Sequence, residues 1–302
     1  MATITVTAAP STLGRRIGGY VALTKPRIIE LLLVTTVPVM IVAERGLPSL
    51  WLVFATVVGG TFAAGGANAI NMVVDRDIDA LMNRTKDRPL VTGVMSPQAA
   101  LIFALALEAL SFVWLWGFVN LLSAVLALSA TAFYVFVYTL WLKRSTRQNI
   151  VIGGAAGSVP VLVGWSSVTN GLGWAPLVLF GIVFLWTPPH TWALAFKYRD
   201  DYSRADVPML PSVAAARTVA LQSLGYTLAL WACTLVLAPV ADLGAIYLVT
   251  ALATGAVFTW FCVALLRRPT PQMAIRMFSW SITYVTLLFG AMAVDQLVAH
   301  GL

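Results

Sequence analysis

A series of long, nearly uncharged apolar runs limits the fold of this chain more than any other feature of the sequence. The runs cover approximately residues 28–43, 50–74, 99–117, 119–141, 149–168, 174–195, 217–238, 243–266 and 276–298. A helix needs roughly 20 apolar residues to cross a bilayer, and lipid offers no partners for exposed backbone groups. We therefore predict an all-α integral membrane protein, a bundle of about nine transmembrane helices.

The composition excludes the common soluble classes. Hydrophobic residues make up 60% of the 302 residues and charged residues only 10%, whereas soluble domains carry roughly 25% charge. A soluble enzyme, a disulfide-rich secreted domain and a disordered tail are all incompatible with these values. The two cysteines, Cys233 and Cys262, lie within apolar runs and are interpreted as core residues. Gly117 is the predicted turn between the third and fourth runs.

The basic residues predict the orientation of the bundle. With nine spans, 18 of the 19 lysines and arginines fall on one face, and only Arg45 falls on the other. The positive-inside rule makes the basic face cytoplasmic. We therefore expect a multi-pass plasma-membrane protein with a cytoplasmic N-terminal tail (1–27), a single polytopic domain (28–302) and an external C-terminus. Because topology accounts for the net charge of +7, no nucleic-acid partner is predicted.

A stripe of polar residues marks the end of the second run. Asn71, Asp75 and Asp79 recur at every fourth position, and Asn68 extends the stripe into apolar sequence. On a helix these side chains share one face. Two neighbouring carboxylates repel unless a cation lies between them, and Mg²⁺ is bound by carboxylates together with substrate phosphates. The stripe therefore predicts a site for Mg²⁺ and a diphosphate, opening at the cytoplasmic face.

Three basic residues follow the stripe closely: Arg84, Lys86 and Arg88. The planar donor fork of arginine suits phosphate oxygens. Next to a metal–diphosphate site, these residues are interpreted as ligands of the diphosphate.

A second charged segment follows the sixth run and contains Lys197, Tyr198, Asp200, Asp201 and Arg204. If the helix continues, Lys197 pairs with Asp201 and Asp200 with Arg204. Two interpretations remain open: a salt-bridged amphipathic loop, or a second group of metal and diphosphate ligands that faces the first.

His190 lies within the sixth run, immediately after Pro188 and Pro189. The two prolines are expected to break or kink the helix, and an ionisable residue inside the membrane indicates function by default. Glu30 and Glu108 are two further acids inside apolar runs. Glu30 is placed near the cytoplasmic mouth, and Glu108 is expected to contact a neighbouring helix; neither is assigned a catalytic role.

These motifs together resemble the UbiA superfamily of intramembrane prenyltransferases and, within it, the protohaem IX farnesyltransferases. The broad resemblance rests on Asn71-x-x-x-Asp75-x-x-x-Asp79 followed by Arg84-Thr-x-x-Arg88-Pro. The narrower one rests on Thr187-Pro-Pro-His190-x-Trp192 and on the segment from Asp201 to Pro211. Many superfamily members have Asp-x-x-x-Asp in the second motif, where this chain has Tyr198 and Tyr202. The haem-modifying members share that departure.

The resemblance implies transfer of a farnesyl group from farnesyl diphosphate to a vinyl group of haem B, with addition of water, giving haem O and diphosphate. It implies Mg²⁺ at Asn71, Asp75 and Asp79. It leaves three roles open for His190: haem ligand, orienting group or proton carrier. Implied partners are the lipid bilayer and a downstream haem-modifying enzyme or oxidase assembly factors. The alternatives are prenylation of an aromatic quinone precursor and, in another class, a membrane transporter, which usually binds its ions near the midplane.

Overall fold

The computed structural model describes residues 13–301, except for the side chains of residues 27–33. Residues 1–12 of the predicted tail and the side chain of Glu30 therefore lie outside the described part. The described residues are helical and contain no strand. The predicted all-α fold is confirmed.

Thirteen helices follow one another in the described part of the chain. Their bounds are α1 Leu13–Thr24, α2 Pro26–Glu44, α3 Leu50–Val74, α4 Arg76–Leu81, α5 Pro97–Phe118, α6 Leu121–Ser145, α7 Asn149–Thr169, α8 Trp174–Lys197, α9 Arg199–Arg204, α10 Leu210–Val213, α11 Ala216–Val240, α12 Ala245–Arg267 and α13 Pro271–Ala299.

Eight of the described helices are long and apolar enough to span a membrane: α3, α5, α6, α7, α8, α11, α12 and α13. The described apolar part of α2 is shorter, Val34–Glu44. The short helices α1, α4, α9 and α10 lie between or before these spans. Each predicted run thus corresponds to one long helix.

Local sequence sets the helix ends. The side chains of Ser96 and Thr270 accept hydrogen bonds from the backbone N–H groups of Ala99 and Met273. Each of these capping residues is followed by a proline at the first helical position, which favours the start of a helix. The turn between α5 and α6 lies at Val119 and Asn120, and the Asn120 side chain caps α6. Gly117 lies inside α5, so the predicted turn at Gly117 is wrong by two residues.

Helix α8 runs without interruption through Pro188 and Pro189. Of the predicted break or kink, the break is therefore wrong. Each proline removes one backbone hydrogen-bond donor from the helix. Both prolines are buried, so that packing against neighbouring helices stabilises the helix where these hydrogen bonds are missing.

The helices pack as one bundle with its largest apolar core among α8, α11, α12 and α13. Large buried side chains of this core include Trp192, Tyr247, Phe258, Tyr284 and Phe289. On the other side, α3 packs against α5, and α7 packs against α2, α6 and α8. Helix α1 packs on α3 through the buried Leu23. The charged ends of α3, α6 and α8 lie at one end of the bundle and surround the site described next.

Candidate functional site

The polar stripe sits where α3 ends and α4 begins. The backbone N–H of Asp75 donates to the carbonyl of Asn71, and that of Asp79 donates to the carbonyl of Asp75 over 2.8 Å. The helical register therefore continues across the junction. The side-chain amide of Asn71 donates to Oδ2 of Asp75 over 2.7 Å. Asn68, Asn71, Asp75 and Asp79 are all buried, as the helical spacing predicts.

Basic side chains neutralise these carboxylates. Lys143, at the end of α6, donates to Oδ2 of Asp75, and Arg88 donates to Oδ2 of Asp79 over 2.5 Å. Arg144 binds Asp77 through both terminal nitrogens at 2.7 Å, which lowers the pKa of Asp77 to about 2. Arg88 is one of the predicted diphosphate ligands. Sequence reasoning assigned Lys143 and Arg144 only to topology and so missed their place in the site.

A segment of π-helix brings Lys143 to Asp75. Within α6, residues Phe133–Leu142 adopt π-helical geometry. This geometry is rare in proteins, and where it occurs it is often found at functional sites. Thr139 donates to the carbonyl of Tyr134 over 2.8 Å and accepts from the amide of Asn71 over 3.2 Å. Tyr134 and Tyr138 stack with their ring centroids 5.4 Å apart.

Lys25 is a further basic residue that the sequence did not assign to the site. Its Nζ donates to Oδ1 of Asn71 over 3.2 Å. Its backbone is left-handed, with φ 51°, a strained conformation for a residue with a side chain. Burial, reinforced by the nearby charges of Arg88 and Lys143, lowers its pKa to about 7.

The second charged segment packs on the first. The helix stops at Tyr198 and restarts at Arg199, so the buried Asp201 turns inward. Asp201 accepts the backbone N–H of Arg84 over 3.3 Å and also binds Arg204. The guanidinium of Arg84 donates to the hydroxyl of Tyr202 over 3.0 Å.

The two ion pairs predicted within the second segment do not form. The break at Tyr198 separates Lys197 from Asp201, and Arg204 binds Asp201 instead of Asp200. Lys197 lies over the ring of Tyr198 at 5.3 Å instead of binding Asp201. Asp200 points away from the site, with its side chain 85% exposed, and pairs with Arg199 at 3.5 Å. Lys86 is also exposed.

His190 faces helix α13. Its Nδ1 lies 2.7 Å from Oγ of Ser281, and its ring stacks on Trp186 at 4.0 Å and on Phe278 at 4.7 Å. It therefore lies inside the bundle, but on a different side of α8 from Thr187 and Thr191, which line the main cavity.

That cavity has a volume of about 490 Å³ and lies between α2, α3, α6, α7 and α8. Its walls are mostly small apolar residues and threonines. Arg84 and Asn68 line the end near the carboxylates. The cavity therefore joins a charged mouth to an apolar interior, which suits a molecule with an anionic head and a hydrocarbon tail.

The oxygen donors at the mouth fit Mg²⁺ shared with a phosphate group. Oδ1 of Asp75 is buried and lacks a hydrogen-bond partner in the described part of the chain; Arg144 approaches it only to 3.7 Å. The described residues bring no three acidic, histidine or cysteine side chains together as a metal cage. Mg²⁺ needs none, because it commonly binds one or two carboxylates and completes its shell with substrate phosphates and water.

Comparison with known proteins agrees with this arrangement. Residues 32–288 match the model of the UbiA prenyltransferase family. A protein of Frankia casuarinae named "Protoheme IX farnesyltransferase" is 57% identical over 287 residues, covering 93% of this chain and 98% of its own length. One of the same name from Clavibacter michiganensis subsp. michiganensis is 53% identical and covers 94% of both chains.

Solved structures share the fold. A digeranylgeranylglyceryl phosphate synthase superimposes with a TM-score of 0.77 at 16% identity and covers 94% of this chain and 99% of its own. A UbiA homologue from Archaeoglobus fulgidus, bound to GPP and Mg²⁺, gives a TM-score of 0.64 at 15% identity and covers 91% of this chain and 99% of its own.

Proposed function

The chain belongs to the UbiA prenyltransferase family, and we propose that it transfers a farnesyl group from farnesyl diphosphate to a vinyl group of haem B, giving haem O and diphosphate. The observation that carries the proposal is a cluster of basic and acidic side chains at the mouth of an apolar cavity. Near-full-length similarity to proteins named protoheme IX farnesyltransferase supports haem B as the acceptor.

The charged mouth binds the diphosphate of the donor. Arg84 and Arg88 offer guanidinium groups to its oxygens, and Lys86, Lys197 and Arg204 add positive charge around them. Tyr198 and Asp201 belong to the same proposed subsite, in which Asp201 fixes Arg84 and Arg204 in place, whereas the exposed Asp200 lies outside it.

Mg²⁺ would be held by Asn71, Asp75 and Asp79, with Asn68 beside them. When bound, it supplies positive charge that stabilises the departing diphosphate. Lys143 and Arg88 pair with the two carboxylates, and they would bind diphosphate oxygens if Mg²⁺ were held by the acids.

The apolar cavity shelters the reaction from bulk water. The farnesyl chain loses diphosphate at its first carbon, and the terminal carbon of the haem vinyl group bonds to that carbon. The positive charge then lies on the vinyl carbon next to the porphyrin ring, where water adds and completes the hydroxyethylfarnesyl side chain. Small residues along the cavity wall leave room for the farnesyl chain.

The charge distribution supports an orientation of the protein in its membrane. The basic face is cytoplasmic in the plasma membrane, with residues 1–27 on that side, the C-terminus outside and residues 28–302 forming one polytopic domain. The product passes to a downstream haem-modifying enzyme or to oxidase assembly factors. Nucleic acid has no part in this function.

One assay tests the proposal directly. Purified protein is incubated with haem B, Mg²⁺ and farnesyl diphosphate, and the extracted haem is analysed by mass. We expect haem O, and we expect its formation to stop when Mg²⁺ is chelated. Prenylation of an aromatic quinone precursor in a parallel reaction, with haem B left unchanged, would contradict the proposal and favour the sibling activity.

A further inference from the structure

Glu108 is a buried carboxylic acid in the middle of α5 that the proposed chemistry has not used. Its side chain is 8% exposed, and the ion pairs formed by the described residues do not include it. An ionisable side chain inside the membrane is costly for stability, which makes a functional role the default hypothesis. The sequence predicted only that Glu108 contacts a neighbouring helix.

Two neighbours hold the carboxylate beside the cavity. Thr131, on α6, donates its hydroxyl to Oε1 of Glu108 over 3.2 Å, and Thr131 itself lines the cavity. Gly66, on α3, makes the room: a Cβ at that position would lie 2.5 Å from Oε1 of Glu108. Thr131 is therefore the link between the buried acid and the cavity.

Glu108 lies well inside the bundle, away from the carboxylates at the mouth. Gly66 lies nine residues before Asp75 on α3, which is about 14 Å along the helix axis. With the diphosphate at the charged mouth, the proposed reaction would place the first farnesyl carbon and then the haem vinyl group further in, towards Thr131.

Resting on the proposed function, we propose that Glu108 accepts, through Thr131, the proton of the water that ends the reaction. Diphosphate leaves with the electron pair of the broken C–O bond, and the vinyl π electrons form the new C–C bond. The water oxygen then bonds to the cationic vinyl carbon. Its proton passes to the Thr131 hydroxyl as the Thr131 proton passes to the Glu108 carboxylate, so that charge and atoms balance.

Glu108 thus acts through another residue, as a positioning residue and proton acceptor. Without Glu108, we expect the vinyl-derived cation to lose a proton from the carbon next to the cationic carbon more often than it captures water. The product is then an alkene that is lighter than haem O by one water. The ratio of alkene to haem O reports this step separately from binding or folding.

The test compares Glu108→Gln with the unaltered enzyme by mass analysis of the extracted haems. Glutamine can accept the Thr131 hydrogen bond but cannot take a proton. We expect haem O formation to fall roughly 100-fold, the alkene share to rise, and the affinity for farnesyl diphosphate to stay within twofold. Thr131→Val should shift the ratio the same way, and Glu108→Asp should restore part of the haem O.

Ser129→Ala is the matched control. Ser129 also lies on α6, but its hydroxyl bonds to the carbonyl of Val125 on the exposed side of the helix. We expect this variant to behave as wild type. If Glu108→Gln or Thr131→Val lowers both products in the wild-type ratio, or changes neither, the inference is overturned. Should Glu108→Gln fail to fold, the ratio measured in Thr131→Val decides alone. Failure of the unaltered enzyme to make haem O would instead contradict the proposed function.

Discussion

Arg88 donates to Oδ2 of Asp79 over 2.5 Å, with only 20% and 4% of the two side chains exposed. This pair joins a residue predicted to bind diphosphate to one predicted to bind Mg²⁺. The guanidinium therefore occupies a carboxylate that we propose as a ligand of Mg²⁺. If Asp79 holds Mg²⁺ as proposed, Arg88 would be released from the acid and would bind the phosphate oxygens.

Removal of either carboxylate is expected to abolish transfer. Asp75→Ala or Asp79→Ala takes one oxygen ligand from the proposed Mg²⁺ site, and we expect the rate to fall roughly 100-fold or more. Turnover measured over a range of Mg²⁺ concentrations checks this, together with helical content by circular dichroism. Asp87→Ala, an exposed acid of the same loop, is the control. Near-wild-type turnover of either alanine variant at limiting Mg²⁺ would refute the metal assignment.

The predicted topology is tested by cysteine labelling in intact cells. In a background without Cys233 and Cys262, single cysteines are placed at Asp87 and Ser203, both exposed in the loops around the site. Both loops are predicted to face the cytoplasm, so we expect neither cysteine to react with an impermeant thiol reagent added outside.

A cysteine at Leu172 provides the positive control for labelling. Leu172 is exposed in the connection between α7 and α8, at the opposite end of the bundle, and should react from outside. Labelling at position 87 or 203 in intact cells would reverse the orientation and contradict the positive-inside assignment.

The long helices and the polar stripe could be predicted because each depends on local sequence. Apolar length defines a span, and the four-residue spacing of Asn71, Asp75 and Asp79 survives the small break where α3 ends. The second acidic segment shows the limit of this reasoning. The predicted pair of Lys197 with Asp201 required a continuous helix, whereas the chain turns at Tyr198 and directs Asp201 to the backbone of Arg84, 117 residues away.

The contacts that complete the site were not accessible from the sequence. Lys143 reaches Asp75, 68 positions earlier, and the π-helical turn of α6 accompanies that contact. Such a turn has no simple sequence signal, and the basic residues at this end of α6 were already accounted for by topology. Lys25 was missed for the same reason, because topology accounted for its charge and its contact with Asn71 joins residues 46 positions apart.

Asp295 is a buried acid for which we expect a structural role. From α13 it accepts the backbone N–H groups of Gly244, Ile246 and Tyr247, which are free donors at the start of α12. Asp295→Ala leaves these donors unpaired and should lower stability by about 1–3 kcal/mol. Thermal unfolding in detergent measures the loss. Haem O formation at low temperature should remain near wild type, and a selective loss of activity without loss of stability would contradict the structural role.

His190 is predicted to serve the haem side of the reaction. The Ser281 hydroxyl donates its single proton to the carbonyl of Phe278 over 2.6 Å. In the 2.7 Å contact between His190 and Ser281, Nδ1 of His190 must therefore be the donor. The lone pair of Nε2 is then left for an iron ligand bond or a proton. His190→Ala should weaken haem binding or conversion, while farnesyl diphosphate binds with nearly normal Mg²⁺ dependence, because Mg²⁺ prefers oxygen ligands.

The two affinities of the His190→Ala variant must be measured separately, haem by its absorbance and farnesyl diphosphate by calorimetry. Ser281→Ala is a useful second variant, because it removes the hydrogen-bond partner of Nδ1 and leaves the imidazole in place. We expect it to weaken haem binding less than His190→Ala does. A His190→Ala enzyme that binds and converts haem normally would make His190 a packing residue between Trp186 and Phe278. One that loses only farnesyl diphosphate binding would instead place it on the diphosphate side.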